Sequence, residues 1–202
     1  TSEILIFPRY HQLDVIRKIK NNVKQEGVGH NYLIQHTTGS GKSYSIGWLS
    51  HTLTSLYQKD GDTKRMFDTI LVVTDRKVLD KQLQNTVSKL EQTGGVVNPV
   101  EMGSKQLKEY LEKGKDIIIT TIQKFPFVSE VISELKGHTF GVVIDEVHSS
   151  QTGETSKHLK KSLSLDEDEA EELDYEEVIR KEIDSRGKQE HISFFGFTGT
   201  PK

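Results

Sequence analysis

Short apolar segments alternate with longer amphipathic ones along this chain. The apolar segments are rich in Ile, Val and Phe, and they occupy residues 31–36, 69–74, 116–121, 140–145 and 191–197. Composition of this kind is typical of β-strands. Because the runs are nearly continuous rather than alternating, they predict strands that are covered on both faces, and therefore a mostly parallel sheet.

The segments between the predicted strands have helical periodicity. After Lys42, one apolar stripe recurs at steps of three and four residues. It consists of Ile46, Leu49, Leu53 and Leu56. Further helices are predicted at 77–92, at 104–112 and around Leu13, Ile16 and Ile19. The alternation predicts a doubly wound α/β domain with helices on both faces, in which ligands bind at the carboxyl ends of the strands.

Length and composition are those of one soluble domain. The 202 residues suffice for a single well-buried core. No apolar run reaches the roughly 18 residues of a membrane-spanning helix, and the first residues given show no basic segment followed by an apolar one. The chain has no cysteine, which excludes disulfides and thiolate zinc sites and fits a cytoplasmic location. Since the sequence stops directly after a motif at 196–201, we expect it to be a piece of a longer protein.

The net charge of -3 conceals an uneven distribution. Nine of the twelve residues at 166–177 are acidic. The rest of the chain has 27 basic and 21 acidic residues. A surface that binds nucleic-acid phosphates is therefore electrostatically feasible. We interpret the acidic run as a solvated helix or a flexible part of a charged insertion at about 157–189. DNA mimicry is the alternative.

A glycine-rich segment at 35–43 lies between the first predicted strand and the stripe-bearing helix, which is the context of a phosphate-binding loop. Its glycines let successive N–H groups face a β-phosphate. Lys42 then lies beside the β and γ oxygens, and the Ser43 hydroxyl can bind Mg²⁺. The predicted nucleotide contacts of the loop are Thr37, Thr38, Gly39, Ser40, Gly41, Lys42 and Ser43. His36 replaces a glycine of the strict pattern, so an ordinary glycine-rich turn is the alternative.

An Asp-Glu pair follows the apolar strand predicted at 140–145. This pair distinguishes the chain from kinases and small GTPases, which also have phosphate loops. Asp145 is expected to hold Mg²⁺, while Glu146 orients and partly deprotonates the attacking water. With Lys42, these carboxylates form the predicted catalytic set for ATP hydrolysis.

Residues 145–148 and 196–201 resemble motifs II and III of superfamily 2 helicases and translocases, and they occur in the expected order. By that resemblance, a set of residues in these two motifs couples the γ-phosphate state to movement. The set is His148, Thr198, Gly199 and Thr200. Arg9 and Gln12 resemble the adenine-binding element of the same superfamily, since an amide can donate to and accept from an adenine edge. For residues 198–201, in motif III, a simple strand-ending turn is the alternative.

The chain is similar to the motor lobe of type I restriction enzyme R subunits. Five segments carry this resemblance, at 8–12, 35–43, 71–83, 118–125 and 145–154. It implies one RecA-like P-loop lobe over 1–202, with ATP and Mg²⁺ as cofactors. It also implies a nuclease domain and a second RecA-like lobe elsewhere in the parent chain. The implied partners are double-stranded DNA, which is translocated before cleavage, and the modification and specificity subunits.

The same resemblance implies that two strand ends meet the DNA backbone. The residues concerned are Thr74, Asp75, Arg76, Thr121, Gln123 and Lys124. Hydroxyl, amide and cationic groups suit phosphate contacts, although each residue could equally be a solvated loop residue. Two functional alternatives stay open. One is another superfamily 2 machine, such as a type III restriction subunit or a remodelling helicase. The other is a nucleotide- and DNA-binding module that, when isolated, has no turnover.

Overall fold

The computed structural model describes residues 6–37, 39–59, 61–74, 77–91, 94–101, 103–145 and 189–199, with only the backbone at 77–82, 123 and 126. The helices are Tyr10–Glu26 (α1), Lys42–Thr54 (α2), Lys77–Lys89 (α3), Ser104–Glu112 (α4) and Phe125–Glu134 (α5). The strands are Asn31–Gln35 (β1), Thr69–Thr74 (β2), Val97–Pro99 (β3), Ile117–Thr121 (β4), Phe140–Ile144 (β5) and Ile192–Thr198 (β6). The charged segment predicted at 157–189 lies, apart from Gln189, outside these ranges.

The strands form a six-stranded sheet in the order β1-β6-β5-β2-β4-β3. All five pairings between neighbouring strands of the described sheet are parallel. The predicted doubly wound α/β fold is therefore confirmed, and each of the five predicted strands is present to within one residue at either end. Within the described ranges, none of the helices combines the length and apolar character needed to cross a membrane.

Helices cover both faces of the sheet. The buried faces of α1, α2 and α3 pack on one side, and those of α4 and α5 pack on the other. Side chains in a strand alternate between faces, so Ile70 and Val72 join the first core while Leu71 and Val73 join the second. Two covered faces explain why the strands have unbroken apolar sequences.

The parallel register brings five strand ends to one edge of the sheet. Gln35 is paired with Thr198, and Thr74 is paired with Thr121. The chain leaves β5 at the same edge, where the Asp145 N–H donates to the Val73 carbonyl at 2.9 Å. Most of the functional residues predicted from the sequence therefore lie in or beside one row, at the carboxyl edge where α/β sheets bind ligands.

The sheet also has a tight packing point at Gly141 in β5. A Cβ there would lie 2.6 Å from Ile70 Cδ1 and 3.5 Å from ring atoms of Phe195 and Phe67. Because added methyl groups overpack a closed core, we expect Gly141→Val to lower the free energy of unfolding by about 1–3 kcal/mol. Denaturant unfolding measures this change. Gly137→Ala, which points into open space, is the control, and equal midpoints for the two variants would contradict the packing described here.

Candidate nucleotide site at the carboxyl edge

The glycine-rich loop between β1 and α2 depends on two left-handed backbone positions. Gly39 has φ 78° and Gly41 has φ 85°, a region that side chains other than glycine disfavour. A Cβ on Gly41 would also come within 2.6 Å of Gln12 Nε2. Glycine at position 41 is therefore favoured by the backbone conformation, and a larger residue there would also displace the Gln12 amide.

Helix α1 holds this loop through two side chains of its first turn. Gln12 is buried, and its Nε2 donates to the Gly41 carbonyl at 3.0 Å. Its Oε1 accepts from the Arg9 N–H at 2.8 Å, which caps the helix. The His11 ring is hydrogen-bonded to the Ser40 carbonyl at 3.1 Å. Both polar atoms of the Gln12 amide thus have partners within the protein. Adenine binding by Gln12 and the exposed Arg9 stays a prediction. It requires Gln12 to exchange these hydrogen bonds for bonds to the base.

His36 follows β1 directly and is 5% exposed. Its N–H donates to the Thr198 carbonyl at 2.8 Å, and its Nδ1 is hydrogen-bonded to Ser40 Oγ at 2.7 Å. Burial, with smaller contributions from His11 and Lys42, lowers the pKa of His36 below its ordinary value of 6.5. This shift favours the neutral form of the ring. His36 ends the strand predicted at 31–36, and a histidine at a glycine position of the strict loop pattern was the signal in the sequence for a further role.

A largely buried ion pair joins the loop to β5. Lys42 Nζ lies 3.0 Å from Asp145 Oδ1, and the two side chains are 17% and 10% exposed. Lys42 is the first residue of α2, and Asp145 directly follows β5. The cation predicted to bind phosphate and the carboxylate predicted to bind magnesium are thus brought together across the end of β6.

The oxygen donors at this position suit a magnesium ion. Ser43 lies in the first turn of α2, next to Lys42, and Asp145 supplies a carboxylate. Mg²⁺ prefers oxygen ligands and is commonly held by one or two protein groups, with waters and substrate phosphates completing the shell. The residues present therefore fit the predicted ion.

The other predicted residues of the nucleotide site are described only in part. Thr37 is exposed and Ser40 is half-buried. Thr198, at the end of β6, is 3% exposed, and Gly199 follows it. Four further predicted residues lie outside the described ranges, so their roles stay predictions. They are Thr38, Glu146, His148 and Thr200.

The predicted DNA-contacting residues differ in accessibility. Thr74 and Thr121, which end β2 and β4, are only 1% and 9% exposed, so their hydroxyls could meet a DNA phosphate only if the strand ends opened. Lys124 is half-buried and ends a 3₁₀ turn, Ile122–Lys124, directly after β4. Asp75, Arg76 and the side chain of Gln123 lie outside the described ranges. Among the described side chains of this set, Lys124 offers the accessible cation.

A cavity of about 300 Å³ lies elsewhere, at the C-terminal ends of α1 and α2. It is lined by Lys20, Lys24, Ser55, Leu56, Tyr57, Gly61 and Asp62. Because α2 begins at the phosphate loop and runs away from it, this cavity is at the opposite edge of the sheet. It contains none of the predicted nucleotide-binding residues.

Comparison with known proteins points to the same chemistry. The family model for the SWI2/SNF2 ATPase matches residues 11–202. Over its whole length the chain is 26% identical to the type I restriction enzyme SsaAORF53P endonuclease subunit of Staphylococcus saprophyticus, of which it spans 18%. Over 82% of its length it is 32% identical to the type I restriction enzyme HindI endonuclease subunit of Haemophilus influenzae, of which it spans 14%. The resemblance seen in the sequence is thus confirmed.

Two solved structures share the fold at low sequence identity. One is a nuclease-deletion mutant of the Type ISP restriction-modification enzyme LlaGI in complex with a DNA substrate mimic. It matches with a TM-score of 0.59 at 14% identity, over 99% of this chain and 18% of that one. The other is the Hef helicase domain of Pyrococcus furiosus, with a TM-score of 0.56 at 16% identity, over 96% of this chain and 33% of that one. Because the family match includes both the phosphate loop and the Asp145 strand end, the chain belongs to the SWI2/SNF2 ATPase family.

Proposed function

We propose that this chain is the ATP-binding and ATP-hydrolysing motor lobe of a type I restriction endonuclease R subunit. In that subunit, hydrolysis would drive the translocation of double-stranded DNA before cleavage. The observation that carries the proposal is the ion pair between Lys42 and Asp145 at the end of a phosphate loop. Membership of an ATPase family and likeness to type I restriction subunits over the whole chain support it.

Nucleotide binding would use groups that the loop already presents. The N–H groups beside Gly39 and Gly41, whose backbones are left-handed, are the proposed phosphate donors, and the N-terminus of α2 adds a favourable dipole for phosphate. Lys42 would exchange its bond to Asp145 for the β- and γ-phosphate oxygens. Ser43 and Asp145 would hold magnesium, which neutralises negative charge on the phosphates when bound.

Hydrolysis requires a base and a completed site. Glu146 directly follows Asp145 in the sequence, and its proposed role is to accept a proton from the attacking water. His148, Thr198, Gly199 and Thr200 are the proposed coupling residues. We assign the arginine that completes the site to a second lobe of the parent chain, so the isolated lobe is expected to bind ATP with little turnover.

The proposed partners belong to a larger complex. The chain spans 18% of its Staphylococcus relative, and we assign the nuclease domain and the second RecA-like lobe to the remainder of a parent chain. Duplex DNA and the modification and specificity subunits are the other proposed partners, in the cytoplasm. The LlaGI enzyme, which shares the fold, was solved with a DNA substrate mimic. A type III restriction subunit or remodelling helicase is less favoured, since the relatives named above are type I enzymes.

Lys42→Ala is expected to weaken ATP binding by about 10- to 100-fold, because a charge-assisted contact to phosphate contributes roughly 1.5–3 kcal/mol. Calorimetry with Mg²⁺ and ATP on the 202-residue chain measures this loss. The variant also leaves the Asp145 carboxylate without its cation, so thermal unfolding is followed in parallel. Lys108→Ala, which removes an exposed lysine of α4, is the control. Equal affinities of the Lys42→Ala variant and the unsubstituted protein would refute the phosphate-loop assignment.

Lys124→Ala is expected to weaken binding to duplex DNA equally for unrelated sequences, because a phosphate contact carries no base information. The plot of log affinity against log salt should lose about 0.9 of its slope for each phosphate contact removed. Fluorescence anisotropy on two unrelated duplexes over a salt series measures both effects. Lys113→Ala, at the far end of α4, is the matched control. If both variants lost the same affinity, the DNA would have to lie on another surface.

A further inference from the structure

The conformation of the phosphate loop is fixed by contacts that converge on Ser40. Its carbonyl accepts from Gln12 Nε2 at 3.4 Å and is bonded to the His11 ring at 3.1 Å. Its N–H donates to the Thr37 carbonyl at 3.0 Å. Its hydroxyl is bonded to His36 Nδ1 at 2.7 Å. The main chain of Ser40 is thus held by α1, while its side chain is held by a residue that follows β1.

His36 is itself fixed on several sides. Its ring lies 5.8 Å from the rings of both His11 in α1 and Phe197 in β6, measured between centroids. Its main-chain N–H is bonded to the Thr198 carbonyl. A buried side chain with so many neighbours has few alternative rotamers, so the direction of its Nδ1 is fixed by the fold.

We propose that His36 is a positioning residue, which holds the phosphate loop in its phosphate-binding conformation through the Ser40 hydroxyl. This inference rests on the proposed ATP site. A loop with glycines at positions 39 and 41 has large conformational freedom, and ordering it on binding costs affinity. The bond from His36 to Ser40 restricts that freedom before phosphate arrives, which is the physical basis of preorganised binding.

A lowered pKa of the His36 ring suits this role. Burial contributes most to the lowered pKa of His36, and among the described residues His11 and Lys42 lower it further. A neutral imidazole keeps its hydrogen bond to a hydroxyl without adding charge to the loop. Glycine, the residue of the strict loop pattern, could make neither this bond nor the ring contacts.

The positioning role of His36 predicts how the loss of affinity compares between two ligands, ATP and inorganic tripolyphosphate. His36→Phe keeps an aromatic ring between His11 and Phe197 but removes the polar bond. Because the effect acts on the loop and not on the base, ATP and inorganic tripolyphosphate should both bind about 3- to 10-fold more weakly, as expected for one neutral hydrogen bond. His36→Asn can place a polar atom near the position of Nδ1, and it should recover most of the affinity.

A double-substitution cycle tests the pairing directly. Ser40→Ala removes the hydroxyl from a half-buried position and should preserve the fold. If the two side chains act as one pair, His36→Phe combined with Ser40→Ala should bind no more weakly than either single variant. His51→Phe is the matched control, because the His51 ring also makes a hydrogen bond, to the Val87 carbonyl at 2.9 Å, but lies in the last turn of α2.

The experiment is calorimetry on the 202-residue chain and its variants, with Mg²⁺ and either ATP or tripolyphosphate, together with hydrogen exchange at the Ser40 amide. The expected result is equal weakening for both ligands, a non-additive cycle and faster Ser40 exchange, with His51→Phe unchanged. Normal affinity in His36→Phe, fully additive losses, or weakening for ATP alone would overturn this inference while leaving the ATP site in place. If the unsubstituted chain bound neither ligand, the proposed function would fail as well.

Discussion

The candidate site depends on the insertion of β6 between β1 and β5. β6 pairs with β1 on one side and with β5 on the other, both in parallel register, so the loop after β1 and the acidic strand end after β5 finish at one edge, two strand spacings apart. At roughly 4.8 Å per spacing, the ends of β1 and β5 are close enough for a lysine to span. The Lys42 side chain does so and reaches Asp145.

That ion pair shows how the site balances its charges. A carboxylate or an ammonium taken out of water alone is costly, and each offsets the cost of the other here. A nucleotide with magnesium would replace both partners by phosphate oxygens and a divalent cation, so the exchange need not leave a buried charge uncompensated. The proposed binding step is therefore a rearrangement of existing charges at the end of β6.

Much of the fold followed from sequence because buried parallel strands and amphipathic helices have distinct patterns. The helix at 104–112 was predicted with its observed bounds, and the one at 77–92 ends three residues early, at Lys89. β3 was not predicted, since Val97–Pro99 has three half-buried residues and a proline. α5 was also missed. It follows β4 after a single 3₁₀ turn, and a proline lies in its first turn, where the sequence pattern favours a turn.

The candidate site, like the fold, was predictable from the sequence only in part. The loop and the Asp145 strand end were predictable, because each is a local motif next to a strand. The bonds from His11 and Gln12 to residues 40 and 41 were not, since they join positions 28 or 29 residues apart. The pairing of His36 with Ser40 spans only four residues, yet it needs the burial that β6 and α1 supply. Such contacts appear only when the tertiary arrangement is known.

The other assignments depend on nucleotide binding at the carboxyl edge of this sheet. Amide hydrogen exchange of the 202-residue chain, with and without Mg²⁺ and a non-hydrolysable ATP analogue, tests this directly, because it shows which residues the ligand protects. We expect slower exchange at 36–45 and around Asp145, with no change at 55–65, where the cavity near Tyr57 lies. Protection confined to 55–65, with unchanged exchange in the phosphate loop, would contradict it.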